Sequence, residues 1–229
     1  MMTVELEMQT LDTPRETARF NMIEQQIRTW EVLDPAVLAL LDVVPRETFV
    51  DAAQAGLAFA DIELPIGHGQ TMLSPKLEGR ILQALALKAT DKVLVIGTGS
   101  GYLTALIASQ AASVVALEIN AALNTVAAQR LAANNLNNVT LLVADGIKGH
   151  AENAPYDAIV YTGALELRPT EAENMLTIGG RCFAVIGQAP IMQATLTQRV
   201  SEQSFKRDVL FETCLPPLLN APQAAKFSF

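Results

Sequence analysis

The sequence predicts an α/β protein: a Rossmann-like, doubly wound, mostly parallel sheet with an antiparallel C-terminal strand pair and a helical N-terminal extension. From residue 92 onward, short apolar runs alternate with segments of helical periodicity, which is the pattern of parallel strands covered by helices. Within this region, residues 93–102 read VLVIGTGSGY, so that an apolar run ends in three alternate glycines before a helical pattern begins. That junction is typical of a buried strand that turns tightly into a helix, where glycines let the backbone approach a ligand.

The chain is expected to form one domain over residues 1–229, with a helical N-terminal part and a loop over 14–87 and the Rossmann-like core over 88–229. Half of the residues are hydrophobic and 17% are charged, which excludes a disordered chain. No apolar run approaches the roughly 18 residues of a membrane span, and the polar, acidic N-terminus does not resemble a secretory signal. Cys182 and Cys214 lack metal-ligand spacing and are expected to be reduced, buried thiols, with a single disulfide as the alternative. These features favour a cytoplasmic protein.

The charge balance disfavours a nucleic-acid partner. The chain has 16 basic and 24 acidic residues, for a net charge of -8. Proteins that bind a nucleic-acid backbone usually carry basic clusters. No such cluster is found here, because Arg15, Arg19 and Arg28 are spread along one segment that also carries Glu16 and Glu24. We expect no nucleic acid and no membrane as partners, and the sequence does not indicate an oligomeric state.

The N-terminal part is expected to contain helices on either side of one loop. Four apolar residues at three- and four-residue spacing predict a helix over 14–30: Phe20, Ile23, Ile27 and Trp30. A second short helix is expected over 35–41. Residues 64–71, LPIGHGQT, break all periodicity and are expected to form a loop. Ser74 and Pro75 then read as an N-cap and a first-turn proline of another helix. Its apolar stripe consists of Leu77, Ile81, Leu82 and Leu85.

The core is expected to alternate strands and helices. Strands are predicted over 92–96, 113–117, 139–143 and 157–162. Helices are predicted over 101–110, 120–134 and 168–177. Gly179 and Gly180 are expected to make a turn into an extended run over 181–186. Two further extended runs, 192–200 and 205–213, follow without an intervening helix, which predicts an antiparallel pair at the sheet edge.

The glycine spacing favours S-adenosylmethionine (AdoMet) over a dinucleotide as the bound cofactor. A dinucleotide fingerprint places its third glycine three residues after the second, whereas Gly101 follows Gly99 by two and Tyr102 occupies the dinucleotide position. Glu118 ends the next apolar run, about 20 residues after the first glycine, where an acid can accept hydrogen bonds from ribose hydroxyls. Asp145 follows a third strand-like run and could accept a bond from an adenine amino group. The loop and the two acids, in this order, resemble class I AdoMet-dependent methyltransferases.

Several further segments narrow this resemblance. They are VPRETFV at 44–50, LPIGHGQT at 64–71, IGTGSGY at 96–102, APYDAIV at 154–160 and the Gly-Gly-Arg turn at 179–181. Together, from about residue 21 to at least residue 187, they resemble protein-L-isoaspartate O-methyltransferases. The resemblance implies AdoMet as methyl donor, with S-adenosyl-L-homocysteine as product. It also implies the side-chain carboxylate of an isoaspartyl peptide or protein as acceptor, and a cytosolic role in protein repair.

The resemblance also implies roles for individual residues. The cofactor-binding positions are His68, Gln70, Thr71, Gly97, Thr98, Gly99, Ser100, Gly101, Glu118, Ile119, Asp145 and Gly146. The catalytic positions are Thr71 and Ser74, and the substrate-binding positions are Ile66, Leu73 and Thr162. No metal is expected. No general base is required either, because a carboxylate with a pKa of about 4 is already ionised at neutral pH. Alignment and exclusion of water would suffice.

The sequence departs from the family pattern at several positions. Leu73 stands where the family usually has a serine, and Ser74 follows it at the N-cap, where the helix competes for its hydroxyl. Val95 replaces a glutamate that helps to hold the methionine end of AdoMet, and Gly163 replaces a usual alanine. Two alternatives therefore stay open: a divergent methyltransferase with another carboxylate or small-molecule acceptor, and a non-catalytic relative. A nucleic-acid base methyltransferase is disfavoured, because residues 161–164 read YTGA rather than Asn/Asp-Pro-Pro-aromatic.

Overall fold

The computed structural model describes residues 13–223, and its first helical segment changes geometry twice along its length. Helix α1 (Pro14–Asn21) continues into a π-helical stretch (Met22–Ile27) and a 3-10 turn (Arg28–Trp30). The predicted extent of helix is confirmed. The predicted apolar stripe is only half buried: Phe20 and Trp30 are 48% and 44% exposed. A π-helical stretch has a wider turn, so that a 3.6-residue period does not keep one face across it.

The next segments lead to a short hairpin. Helix α2 (Pro35–Val43) is followed by two 3-10 turns, Arg46–Phe49 and Ala52–Leu57. Strands β1 (Leu64–Gly67) and β2 (Gln70–Met72) then pair antiparallel. The prediction of a loop over 64–71 was therefore wrong, because three successive positive-φ residues at 67–69 fold the chain back tightly enough for the flanks to pair.

Helix α3 (Pro75–Leu85) follows the hairpin and packs into the core. Its four predicted stripe residues are all buried, as expected. Ser74 occupies the N-cap position with extended backbone angles, but its hydroxyl makes no capping hydrogen bond. The N-cap position is thus confirmed, whereas the expected competition for the hydroxyl is not observed.

The main sheet has seven strands in the order β5-β4-β3-β6-β7-β8-β9. In chain order the strands are β3 (Lys92–Ile96), β4 (Ser113–Glu118), β5 (Val139–Val143), β6 (Tyr156–Leu165), β7 (Leu176–Gln188), β8 (Ile191–Arg199) and β9 (Phe205–Thr213). The helices between them are α4 (Tyr102–Ala108), α5 (Ala121–Ala133) and α6 (Thr170–Glu173). Strands β3 to β7 pair in parallel, and β8 and β9 add antiparallel at the edge. This confirms the predicted fold class.

Two boundaries differ from the prediction. The helix expected over 168–177 is only four residues long, because β7 already begins at Leu176. Gly179 and Gly180 lie inside β7 and not in a turn before it. The register with β6 shifts at this point, from Tyr156 opposite Leu176 to Ala158 opposite Arg181. The glycines accommodate an irregular insertion of the kind that bends a strand locally.

The sheet is buried on both faces. One apolar cluster joins α2, α3 and α4 to one face, and it includes Val95, which is fully buried. A second cluster packs against the other face around Tyr161 and Cys182.

Burial raises the pKa of the Cys182 thiol above its usual range. Both cysteines are free, but Cys214 is exposed, so the expectation of two buried thiols was wrong for that residue. Across residues 13–223, every helix is too short or too polar to span a bilayer.

Candidate active site

An open cavity lies at the carboxyl ends of β3, β4 and β6. The chain order reverses here, because β4 lies on one side of β3 and β6 on the other. Ligands of open α/β sheets bind at such switch points. The described residues 13–223 contain no group of side chains that could hold a metal ion.

The glycine loop forms one wall of this cavity. Gly97 and Gly99 line it, both with positive φ. A Cβ added at Gly97 would clash with Thr162 Oγ1, so the backbone approaches more closely than a side chain would allow. Thr98 and Ser100 do not line the cavity: Thr98 Oγ1 donates to a backbone carbonyl at 3.3 Å, and Ser100 Oγ accepts a backbone N–H at 3.2 Å. These hydroxyls shape the loop from behind.

The third glycine, Gly101, also does not line the cavity. It precedes α4 as the N-cap residue with φ 91°. A Cβ added at Gly101 would lie 3.4 Å from Ala127 Cβ, so this glycine packs against α5 and not against the ligand space.

Glu118 ends β4 with its carboxylate fixed at the cavity wall. One carboxylate oxygen accepts from the Gly99 N–H at 2.9 Å, and the other accepts from the Asn120 N–H, also at 2.9 Å. The side chain is buried, yet it lines the cavity together with its neighbour Ile119. Each carboxylate oxygen keeps a further lone pair for a ligand hydroxyl.

Asp145 and Gly146 lie at the end of β5, as expected. Asp145 Oδ1 accepts from the Ile147 N–H at 3.0 Å, and Oδ2 accepts from the Asn220 side-chain amide at 2.9 Å. A Cβ added at Gly146 would lie 2.8 Å from Ile96 Cγ2, so the backbone rests directly on the end of β3. The buried Tyr161 hydroxyl donates to the Ile147 carbonyl at 3.1 Å, and burial raises its pKa, which keeps it a donor.

The hairpin contributes the opposite wall. Five of its residues or flanking residues line the cavity, all of them predicted: Ile66, His68, Gln70, Thr71 and Leu73. The Thr71 hydroxyl donates to Glu63 Oε2 at 3.0 Å. Thr162, on β6, also lines the cavity, and its hydroxyl donates to the Gly97 carbonyl at 2.7 Å. The hydroxyl thus holds the glycine loop in place.

Ser74 lies elsewhere. It lines a second cavity, beside Trp30, Lys76 and Phe211, and does not line the first. The structure therefore separates Ser74 from the residues that were predicted to act with it. Leu73 occupies the position facing the first cavity instead, and it is 7% exposed.

The C-terminal segment 216–219 lines the first cavity, which the sequence did not predict. It is held to β6 by two backbone hydrogen bonds, from the Ala164 N–H to the Pro216 carbonyl and from the Leu218 N–H to the Ala164 carbonyl. A Cβ added at Gly163 would lie 2.9 Å from Leu218 Cγ, which explains a glycine at that position. Nothing in LPPLLNAP has a period that would place it. Asn120, foreseen only as a helix cap, also lines the cavity.

Comparisons with known proteins agree on one family. A model of the protein-L-isoaspartate(D-aspartate) O-methyltransferase family matches residues 17–221. The chain is 37% identical over 208 residues to protein-L-isoaspartate O-methyltransferase 2 of Pelobacter propionicus, a match covering 90% of this chain and 92% of that one.

Two solved structures share the fold. One bears the name protein-L-isoaspartate O-methyltransferase; its TM-score is 0.76 at 22% identity, and the match covers 89% of this chain but 65% of that one. The other is a Plasmodium falciparum protein assigned to the same enzyme class and solved with S-adenosyl-L-homocysteine. Its TM-score is 0.74 at 17% identity, over 90% of this chain and 99% of that one. At these identities the likeness shows the fold alone.

Proposed function

The chain belongs to the protein-L-isoaspartate O-methyltransferase family, and from this we propose that it transfers the methyl group of AdoMet to the side-chain carboxylate of L-isoaspartyl residues in damaged proteins. The observation that carries the proposal is that one cavity combines the glycine loop, the Glu118 carboxylate, Asp145 and the hairpin. S-adenosyl-L-homocysteine is the product. The following main-chain nitrogen then attacks the methyl ester and expels methanol, and the resulting succinimide hydrolyses in part to normal aspartate.

The residues of the cavity fit this cofactor. The positive-φ backbone of Gly97 and Gly99 leaves room for the methionine end, and Glu118 offers two oriented acceptors for the ribose hydroxyls. Asp145, beside Gly146, would accept a hydrogen bond from the adenine amino group. Val95 is buried in the core, so it cannot take over the role of the glutamate that it replaces. The polar side chains that the hairpin offers to the cofactor instead are those of His68 and Gln70, which line the cavity.

AdoMet supplies an electrophilic methyl group, so the chain needs only to align an acceptor that is already ionised. Leu73 and Ile66 shield the acceptor end from water, which strengthens electrostatic contacts there. Thr71, oriented by Glu63, is the hydroxyl beside the acceptor. In this proposal Ser74 has no part in the transfer, since it lines a different cavity.

A second candidate is methyl transfer to another carboxylate or a small molecule. The apolar lining at the acceptor end favours it: Ile66, Leu73, Pro216 and Leu219. For either candidate we propose the cytoplasm as the compartment, because Cys182 and Cys214 are free thiols.

The test is transfer of labelled methyl from AdoMet to a synthetic isoaspartyl peptide, with the matching aspartyl peptide as control and AdoMet binding measured in the same preparation. Methylation of the isoaspartyl peptide alone supports repair. AdoMet binding without transfer to either peptide refutes the isoaspartyl acceptor and favours the second candidate. Absence of both binding and transfer refutes both candidates and leaves the non-catalytic relative.

A further inference from the structure

A buried arginine outside the cofactor cavity ties its walls together. Arg46 begins the 3-10 turn after α2 and is 1% exposed. Its Nε donates to the Ala58 carbonyl at 2.8 Å, its Nη1 donates to Glu78 and its Nη2 donates to the Leu73 carbonyl at 2.6 Å. The guanidinium also lies 4.9 Å from the ring centroid of Tyr102. A planar fork with fixed donors suits this geometry, and a lysine cannot reproduce it.

Three of these four partners belong to segments that line the cavity or adjoin its lining. Leu73 follows β2 and lines the cavity at its proposed acceptor end. Tyr102 is the first residue of α4, directly after the glycine loop. Glu78 is in the first turn of α3, the helix that the hairpin leads into. Arg46 therefore joins the wall that carries the acceptor to the wall that carries the cofactor.

A contribution to stability does not by itself explain why Arg46 and Glu78 are buried together. Buried polar pairs can often be replaced by apolar side chains of similar volume without loss of stability. What apolar side chains cannot supply is the hydrogen bond to the Leu73 carbonyl, which fixes the main chain where the hairpin ends. Leu73 lines the cavity, whereas Arg46 does not, and the hydrogen bonds of Arg46 go to Ala58, Leu73 and Glu78.

We propose that Arg46, with Glu78, is a positioning residue for the acceptor: it holds the hairpin through the Leu73 carbonyl at a fixed place relative to the glycine loop. The acceptor role of this wall rests on the proposed function. The role of Arg46 in positioning the hairpin does not rest on it, so an experiment can refute the proposed function and this role separately. A displacement of about 1 Å in an aligned site can cost on the order of a hundredfold in rate.

The test uses the full chain with the paired replacement Arg46→Met/Glu78→Leu, and with Arg46→Lys as the milder variant in case the pair does not fold. Arg181→Lys is the matched control, because Arg181 also donates to a buried carboxylate, that of Asp91 at 2.6 Å, away from the cavity. Four properties are measured: melting temperature, AdoMet Kd, amide hydrogen exchange over the hairpin (residues 64–74), and kcat and KM for the isoaspartyl peptide.

We expect the paired variant to keep the AdoMet Kd within about twofold of the original while its hairpin amides exchange at least about tenfold faster. Its kcat/KM for the peptide is expected to fall on the order of tenfold to a hundredfold. The control Arg181→Lys is expected to change neither the hairpin exchange nor kcat/KM. Unchanged hairpin exchange and unchanged kcat/KM in a folded variant would overturn the proposal. So would a loss of AdoMet binding equal to the loss of transfer. If the original protein methylates no peptide, the proposed function fails, and hairpin exchange still decides the role of Arg46.

Discussion

The two ends of the cavity are built differently. The cofactor end consists of strand termini, and Glu118 and Asp145 are held there by backbone N–H groups. The acceptor end consists of a hairpin and a C-terminal segment, which are held by Arg46 and by two hydrogen bonds to β6. Of the three departures that the family resemblance indicates, Leu73 and Gly163 lie at the second end, and Val95 is buried in the core behind the first.

This difference assigns cofactor binding to one end of the cavity and the choice of acceptor to the other. A site made of strand ends inherits its geometry from the sheet, so its residues cannot move without disturbing the core. A site made of irregular segments can exchange side chains while the fold persists. In this chain we therefore expect substitutions at the acceptor end to alter the acceptor more readily than substitutions at the cofactor end alter the cofactor.

The largest effect is expected at the cofactor end, from Gly97→Val. The new Cβ would clash with Thr162 Oγ1, and a β-branched residue at φ 89° is strained by about 1–3 kcal/mol. AdoMet binding should become undetectable by calorimetry, with a lowered melting temperature. Gly56→Ala is the control, because nothing lies within 4 Å of its Cβ position and its φ is ordinary. Normal AdoMet binding by Gly97→Val would mean that the glycine loop does not contact the cofactor.

The same contrast separates what the sequence could predict from what it could not. Gly97, Glu118 and Asp145 were predicted together because the carboxyl ends of parallel strands meet at one edge, and each residue directly follows an apolar run. Segment 216–219 was missed because it has no period and its place depends on long-range hydrogen bonds to Ala164.

Ser74 shows a further limit of sequence reasoning. Two adjacent residues of an extended chain point in different directions, so a shift of one position in a motif moves a side chain to another cavity. The hairpin itself was missed because three successive left-handed residues made the turn. Glycine is expected at positive φ, but the middle residue of this turn is His68.

The next effect is expected from Glu118→Gln, which should weaken AdoMet binding roughly tenfold to a hundredfold. A glutamine amide offers one acceptor oxygen, whereas Glu118 accepts from two backbone N–H groups, so one donor would face an NH2 group. Calorimetric titration with AdoMet measures this, and the control is Glu24→Gln, a half-buried glutamate paired with Arg28 and absent from the cavity lining. A Kd within twofold of the original would remove Glu118 from the cofactor site.

At the acceptor end, Leu73→Ala and Ser74→Ala compare neighbouring positions. Leu73→Ala should destabilise the fold by about 2–3 kcal/mol through a core cavity, and it should lower kcat/KM for the acceptor with little change in AdoMet Kd. Ser74→Ala should leave kcat/KM within about twofold, because that hydroxyl makes no capping bond and lines the second cavity. The reverse ranking, measured by steady-state kinetics, would return Ser74 to the reaction.

The last prediction concerns the pH dependence of stability, at the support beneath the acceptor end. Burial raises the pKa of Glu78 to about 8, against the opposing charge of Arg46. The folded protein therefore holds a proton that the unfolded chain releases above about pH 4.5, so this contribution to stability is full below that pH and is lost as the pH rises towards about 8. The melting temperature should fall across this window and then level, and Glu78→Gln should remove that part of the slope. A variant whose pH profile matches the original would mean that Glu78 is ionised throughout, with Arg46 holding Leu73 as half of an ion pair.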